Sequence, residues 1–288
     1  MAQQYKTEEA TRLLDVIMKM KGYASTTRGR KVIKEGFVKV NGKVVTFPAQ
    51  DLPAGATVAV FEKPQRTARI TLKQLPYDIH HDDPELFAFD KPAGVVSASP
   101  DVKRRTAFNI VRDWLFARDP KLDEVYFVNK LPKEASGLVL IARDAVTRTR
   151  LQKHWNSYTK RYYVVAKGEF PEDGVIGKQT KNAKGQAEGF VFPYRRMMQG
   201  AQYALLRVEM KNEAFSELFS LLEAKGNSVP GFARRGKAAN PLDRLGFHFF
   251  SVELPESPSS DKLITIKTPV PREFLNLIKF SGRSPNRA

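Results

Sequence analysis

The run SGLVLIA, from Ser136 to Ala142, constrains the fold most, because it places seven uncharged residues in an unbroken row. A short apolar run bounded by turn signals is typical of a buried strand. The small residues from Ala135 to Gly137 predict a turn where the run begins, and Asp144 stands just after the run at the start of a helix pattern. A buried strand needs other elements to cover it, so the sequence predicts a sheet with helices packed against it.

The rest of the segment 77–288 alternates between strand and helix patterns. Apolar strands are predicted in LFAFDKPAG, KRYYVVAKGEF, AQYALLRVEM, LGFHFFSVEL and DKLITIK, and helices in TAFNIVRDWLFAR, DAVTRTRLQKHW, EAFSELFSLLEAKG and the stretch after TPVPREF. The two tryptophans, Trp114 and Trp155, are expected in the core. This order of elements predicts an α+β domain that closes with a short basic tail, SGRSPNRA.

Residues 1–61 form a second pattern, which predicts a small α+β module. Leu13, Leu14, Ile17 and Met18 fall largely at helical spacing, and a Ser/Thr-rich start precedes a second short helix that ends at Gly36. The segment FVKVNGKVV alternates apolar and polar residues around Asn41-Gly42, the pair that favours a type I′ hairpin. The basic stretch 62–76 is predicted to link this module to the domain at 77–288.

Charge points to the class of partner. The 48 lysines and arginines exceed the 31 aspartates and glutamates, which gives a net charge of +17 and a pI of about 9.9. Such an excess attracts polyanions, and nucleic acid is the common one. A general role in solubility and an anionic membrane surface are the alternatives.

Several classes of protein are disfavoured because the sequence lacks the residues or motifs that define them. The absence of cysteine excludes disulfides and thiolate chemistry, and the four histidines have no zinc-site spacing. Walker-type loops and dinucleotide fingerprints are absent as well, so no cofactor or metal is expected. No apolar run approaches the roughly 20 residues that span a bilayer, and the first residues do not resemble a signal peptide. A cytoplasmic protein without a membrane partner is the expectation.

The stretch RGRKVIKEGFVKVNGKVV resembles the S-four (S4) RNA-binding domain, and the resemblance covers about residues 12–60. In such domains the second helix and the hairpin loop hold structured RNA. The resemblance therefore implies an RNA-binding surface made of Thr27, Arg28, Arg30, Lys31, Lys34, Asn41 and Lys43.

The second domain resembles the RluA-type RNA pseudouridine synthases. Four stretches carry this resemblance in the family's order: FAFDKPAG, NKLPKEASGLVLIARD, KRYYVVAKG and RLGFHFFSVELPES with the following ITIKTPVPREF. The resemblance implies a mixed, mainly antiparallel sheet flanked by helices and loops. It also implies an enzyme that isomerises uridine to pseudouridine, which requires one essential aspartate.

Pro132 stands where the family has that aspartate. The second stretch aligns with His-Arg-Leu-Asp-x-x-Thr-Ser-Gly-Leu-Leu, so Asn129 and Lys130 replace the His-Arg pair and Pro132 replaces the carboxylate. Proline has neither a carboxylate nor a backbone N–H. Lys91, Asn129, Lys130 and Tyr162 are expected to be remnants of the pocket, in which Tyr162 matches the tyrosine that packs on the target base.

A second loss lies in EMKNEAFSELF, which corresponds to the family's Gly-Arg-Thr-His-Gln-Ile-Arg stretch but retains neither its arginines nor its histidine. Here Glu213, Phe215 and Leu218 are interpreted as helix capping and core packing. Carboxylates that could replace the missing one are Asp90, Asp123 and Asp144, of which Asp144 is predicted to cap the following helix.

Further basic residues of the second domain suggest contacts to RNA. They lie on the helix after the buried strand and in the loops GKQTKNAKGQ and GFARRGKAANPLDR, and the candidates are Arg143, Arg148, Arg150, Lys153, Arg234 and Arg235.

Three hypotheses follow. The first is an RNA-binding protein without isomerase activity that acts on structured RNA, most plausibly ribosomal RNA or a ribosomal subunit precursor, as an assembly or structural factor. The second is a divergent, active pseudouridine synthase that modifies rRNA or tRNA. The third is a protein-interaction module whose charge only aids solubility.

Overall fold

A computed structural model describes residues 2–62, 74–99, 105–119, 121–122, 124–177, 180–181, 187–232, 240–255 and 262–280. The chain divides, in the main, at Gln74 into two compact units. This division falls inside the stretch 62–76 that the sequence predicts as a linker. Most of that stretch, the tail 281–288 and most of the loop GKQTKNAKGQ lie outside the described residues.

The first unit is a small α+β module, as the sequence predicts. Its elements are β1 (Gln3–Lys6), β2 (Thr11–Arg12), α1 (Leu13–Lys21), α2 (Thr26–Lys34), β3 (Val38–Val40), β4 (Lys43–Val44), β5 (Asp51–Leu52) and β6 (Thr57–Val60). A four-stranded sheet has the order β1-β6-β3-β4, and β2 pairs with β5. Leu13, Ile17 and Ile33 from the two helices pack against Val38 and Val58 of the sheet, which forms the core of this unit.

The predicted hairpin turn is confirmed. Asn41 and Gly42 both have positive φ, at 47° and 78°, as a type I′ turn requires. The Asn41 Oδ1 accepts a hydrogen bond of 2.8 Å from the Thr57 backbone N–H, which ties the turn to β6.

The second unit is built on a ten-stranded sheet. Its elements are β7 (Ile79–Asp82), β8 (Leu86–Lys91), α3 (Ala107–Arg118), β9 (Tyr126–Phe127), β10 (Ser136–Ala142), α4 (Ala145–Lys153), β11 (Lys160–Lys167), β12 (Asp173–Gly177), β13 (Thr180–Lys181), β14 (Ala187–Glu188), β15 (Val191–Gln199), β16 (Tyr203–Met210), α5 (Phe215–Ala224), β17 (Phe247–Pro255), β18 (Leu263–Lys267) and α6 (Arg272–Phe280). The main strand order is β12-β15-β16-β11-β17-β10-β8-β7, with β18 paired to β17 and β9 to β10.

The run SGLVLIA forms β10, and all seven of its residues are buried. It pairs antiparallel with β8 and parallel with β17, so the sheet is mixed and mainly antiparallel. Gly137 makes the parallel pairing possible, because a Cβ there would lie 2.4 Å from the backbone nitrogen of Phe249. The sequence prediction of a buried strand inside a covered sheet is therefore confirmed.

Side chains alternate between the two faces of the sheet, and this separates two sets of residues. Tyr162 pairs with Phe249, and Gly137 pairs with both Phe249 and Lys91. These positions share one face, which we name the Tyr162 face. Helix α5 covers part of it, since Phe219 lies 5.2 Å from Phe247 between ring centroids.

The opposite face, which we name the His248 face, carries Tyr163, His248 and Ser136 at paired positions. Asp90 lies on it too, because Asp90 pairs with Leu138, one residue from the Gly137–Lys91 pair. Helix α6 packs here through Phe274 and other apolar residues. Tyr162 and Asp90 therefore lie on opposite sides of the same sheet.

Candidate active site and nucleic-acid interface

Pro132 lies exposed in the loop before β10. Its carbonyl accepts a hydrogen bond of 3.2 Å from the Ala135 N–H, which makes a tight turn. The loop therefore keeps an ordered turn at the position where the resemblance implies an aspartate. The proline itself offers no group that could attack a sugar carbon or accept a proton.

Lys91 binds the backbone of this loop through hydrogen bonds. Its side chain is fully buried, and its Nζ donates to the carbonyls of Ala135 at 2.6 Å and of Pro92 and Val95 at 2.9 Å, with a longer contact of 3.4 Å to Lys133. Burial, with the Arg244 charge second, lowers the pKa of Lys91 to about 8. The lysine joins the loop after β8 to the loop before β10, which is a structural role.

Asn129 and Lys130 have separate surroundings. Asn129 is buried, and its Nδ2 donates to the Leu138 carbonyl at 3.1 Å while its Oδ1 accepts from the Leu140 N–H at 2.9 Å. Lys130 is exposed. Asn129 therefore extends the hydrogen bonding of β10 rather than facing a substrate.

Tyr162 has no exposed surface. Its ring stacks on Phe249 at 4.6 Å and on Phe247 at 5.0 Å, and the ring of Phe215 meets it at 5.4 Å in an edge-on arrangement. Its hydroxyl is buried and has no hydrogen-bond partner among the described residues. Burial raises the pKa of Tyr162 well above its usual value, and the Glu213 charge adds to this. No ring face is available to a nucleobase in this conformation.

The region EMKNEAFSELF supplies part of this cover. Phe215 and Leu218 pack in the core, as predicted, and Leu218 is fully buried. The interpretation of Glu213 as a helix cap is wrong. Ala214 occupies the cap position without a side-chain hydrogen bond, and the Glu213 carboxylate instead accepts a hydrogen bond of 2.9 Å from the indole of Trp155. A buried indole N–H needs a hydrogen-bond acceptor, and the Glu213 carboxylate provides it.

The carboxylates that could replace the missing aspartate are placed as follows. Asp144 caps α4, since its Oδ1 accepts from the Thr147 N–H at 2.8 Å, and this prediction is confirmed. Asp90 lies on the His248 face, on the opposite side of the sheet from Tyr162. Asp123 lies outside the described residues. Of the two described aspartates, one is therefore engaged as a helix cap and the other lies on the far face of the sheet.

Two of the four described basic candidates of the second unit are paired with acids. Arg143 forms an ion pair with Asp82, and Arg150 binds Glu85 at 2.6 Å. Arg148 lies over the ring of Tyr126 at 5.6 Å. Lys153 is exposed, whereas Arg234 and Arg235 lie outside the described residues. The acids Asp82 and Glu85 are distant in sequence, so a count along the helix could not reveal these pairs.

The predicted RNA-binding residues of the first unit are all exposed, and they lie on α2 and on the β3–β4 hairpin: Thr27, Arg28, Arg30, Lys31, Lys34, Asn41 and Lys43. Arg28 lies 5.0 Å from the ring of Tyr23, and Lys31 is 3.7 Å from Glu35 in an exposed pair. Helix α2 has no acidic residue in its first turn, and Ser25 caps it. These residues together present a basic surface to solvent.

Sequence reasoning did not single out Phe247 and Phe249, which cover Tyr162. They stand at alternate positions of LGFHFFSVEL, a spacing that places both rings on one face of a strand. That alternation is the signal that could have found them. Among the described residues, no three His, Asp or Glu side chains are grouped to hold a metal ion. No helix in the described part of the chain is long and apolar enough to cross a membrane.

Comparison with known proteins agrees with this architecture. The S4 domain profile matches residues 12–58, and the profile described as RNA pseudouridylate synthase matches residues 85–220. The chain is 26% identical over 226 residues to ribosomal large subunit pseudouridine synthase B of Bacillus subtilis, a match covering 69% of this chain and 84% of the relative. It is also 26% identical over 158 residues to synthase D of Yersinia pestis, of which the match spans 47%.

Among solved structures, human RNA pseudouridylate synthase domain containing 4 superposes with a TM-score of 0.57 at 16% identity, covering 73% of this chain and 95% of that one. This likeness concerns the fold. Together these findings define an S4 domain followed by a pseudouridine synthase fold. Residues 85–220 thus match the RNA pseudouridylate synthase family, and residues 12–58 match the S4 domain family.

Proposed function

We propose that this protein binds structured ribosomal RNA without isomerising uridine. The S4 domain and the net charge of +17 support RNA binding. The names of the two bacterial relatives, both ribosomal large subunit synthases, favour ribosomal RNA as the partner.

The observation that carries the inactive part of the proposal is the covered ring of Tyr162. Isomerisation needs the base to reach a carboxylate beside this tyrosine. The resemblance aligns Pro132 with that carboxylate, and in the structure Phe249 and Phe215 pack against the ring. Loss of an essential nucleophile typically costs about a million-fold in turnover, or about 8 kcal/mol of barrier.

The basic surface of α2 and the β3–β4 hairpin would then provide most of the affinity. Its residues are exposed, and most have no acidic partner in the part of the chain that the structure describes, so they can contact phosphates. In the second unit, by contrast, Arg143 and Arg150 are already paired with acids and would contribute less. Such a protein would serve ribosomal subunit assembly or a structural role on the ribosome.

Binding to rRNA fragments across a salt series tests this proposal. Several phosphate contacts predict that affinity falls by about 10³-fold or more between 50 and 200 mM salt. A protein that failed to bind rRNA at low salt would instead be a protein-interaction module, and the proposal would be wrong.

A divergent, active synthase is the second candidate, and the names of the relatives favour it. It requires Tyr162 to be uncovered when RNA binds and a carboxylate to reach the base. Mapping pseudouridine in the host's RNA with and without this gene separates the two candidates. Sites that vanish on deletion and return with the intact gene would support the active synthase.

A further inference from the structure

The His248 face carries a cleft of about 660 Å³, away from Tyr162 and the aromatic residues that cover it. Its size is within the range of small-molecule sites, about 300–1,000 Å³. Prolines form much of its wall, among them Pro92, Pro269 and Pro271. Asp90, Ser136 and Arg244 reach it from three separate parts of the chain, so the cleft is a product of the fold.

A buried hydrogen-bond chain fixes the floor of the cleft. Arg244 donates through Nη2 to the Ser136 Oγ, which lies 2.7 Å from the Nδ1 of His248. The Nε2 of His248 lies 2.5 Å from the Thr268 Oγ1, at hydrogen-bond distance. Burial, with the Arg244 charge second, lowers the pKa of His248 to about 3, so the imidazole is neutral.

The Asp90 carboxylate accepts a hydrogen bond from the Gly137 backbone N–H, which leaves one of its two oxygens for a further donor. Its Oδ1 is buried and has no hydrogen-bond partner among the described residues. A buried polar atom without a hydrogen-bond partner has a free-energy cost. A ligand that donates a hydrogen bond to this oxygen would remove that cost.

The charges around the cleft favour a cation. The guanidinium of Arg244 already has partners, since its Nη1 donates to Glu273 at 2.7 Å and its Nη2 donates to Ser136. Within the described ranges, the lining charges without a salt-bridge partner are three carboxylates, Asp78, Asp90 and Asp243, and one guanidinium, Arg272. A net negative cleft in a chain of charge +17 departs from the rest of the surface.

We propose that this cleft binds an organic cation, a guanidinium or alkylammonium group that donates hydrogen bonds to Asp90. A guanidinium fits especially well, because it can give two parallel hydrogen bonds to a carboxylate while its plane packs on apolar walls. Two sources offer this chemistry: the arginine side chain of a basic peptide segment and a free polyamine.

Titration of the full chain, without RNA and at low salt, tests the site by calorimetry and by amide NMR shifts. The probes are N-acetyl-arginine amide and spermidine, and N-acetyl-citrulline amide is the uncharged match for the first. We expect at least one cation to bind about tenfold or more tightly than the citrulline probe, with shifts at Gly94 and Gly137. Preference for the arginine probe indicates a peptide source, and preference for spermidine indicates a polyamine.

Variants locate the binding. Asp90→Asn is expected to weaken the preferred cation about tenfold, and Asp78→Asn to weaken it less. Asp173→Asn is the matched control, because Asp173 is an exposed carboxylate on β12 outside the cleft. Equal binding of charged and uncharged probes, or equal affinity in Asp90→Asn and the wild type, would overturn the proposal. Since RNA is absent, either result is separate from the fate of the proposed function.

Discussion

Replacing Phe249 by alanine should destabilise the second unit strongly, because its ring covers Tyr162. Phe249 has no exposed surface, stacks on Tyr162 at 4.6 Å and meets the edge of Trp155 at 6.5 Å. Truncation of a buried phenylalanine costs about 3–5 kcal/mol. Two aromatic contacts are lost as well, each worth about 0.5–1.5 kcal/mol beyond burial. We therefore expect the upper part of the range, about 4–5 kcal/mol.

Urea unfolding followed by tryptophan fluorescence measures this loss. Both tryptophans of the chain, Trp114 and Trp155, lie in the second unit, so the signal reports that unit alone. Since a domain is stable by only about 5–15 kcal/mol, Phe249→Leu provides a milder change, with an expected loss of about 1–1.5 kcal/mol.

Phe190→Ala is the control. Phe190 is 37% exposed and stacks on Phe192 at 6.0 Å, so its removal should cost about 1 kcal/mol. If Phe249→Ala cost no more than Phe190→Ala, the ring would not be part of the core. Tyr162 would then not be closed to a base by Phe249.

Three further predictions concern charged residues. Burial, with the Asp78 charge second, raises the pKa of Asp90 from 3.8 to about 6, so the folded state holds this proton more tightly than the unfolded state and stability should fall as pH rises from 4 to 6. The rise in the pKa of Asp90 corresponds to at most about 3 kcal/mol of stability, reduced by solvent screening. Asp90→Asn should flatten the curve of unfolding free energy against pH between pH 4 and 6. An unchanged slope in that variant would show that Asp90 is not the group that titrates there. Lys91→Met should lower the free energy of unfolding, measured in urea, by about 2–4 kcal/mol, because four carbonyls lose a charged donor. The control Lys130→Met, at an exposed position, should change the free energy of unfolding by less than about 0.5 kcal/mol. Arg28→Glu combined with Lys31→Glu should weaken rRNA binding in a filter assay more than about tenfold and leave the melting temperature almost unchanged; an equal loss of both would indicate a structural role for α2.

The fold was predictable where short-range patterns determine it. The apolar run from Ser136 to Ala142 specifies a buried strand without any knowledge of its partners, and Asn41-Gly42 specifies a turn through backbone sterics alone. Asp144 could be predicted as a cap because its bond to Thr147 spans only three residues.

The site was less predictable, because its contacts join residues far apart in the chain. Glu213 looked like a cap by position, but its partner Trp155 lies 58 residues earlier. Arg143 looked free in a basic stretch, but its partner Asp82 lies 61 residues earlier. Periodicity reports which face of an element is apolar, and it does not report which charge lies opposite.

Tritium release from RNA labelled at C5 of uridine tests the central claim most directly. Pseudouridine formation joins the sugar to C5 and releases the hydrogen there to water, so each turnover frees one label. We expect the intact protein to bind the labelled rRNA and to release no tritium above the level without protein. Release that disappears when Asp90, Asp144 or Glu213 is replaced by its amide would contradict the account, because it would identify a working carboxylate in place of Pro132.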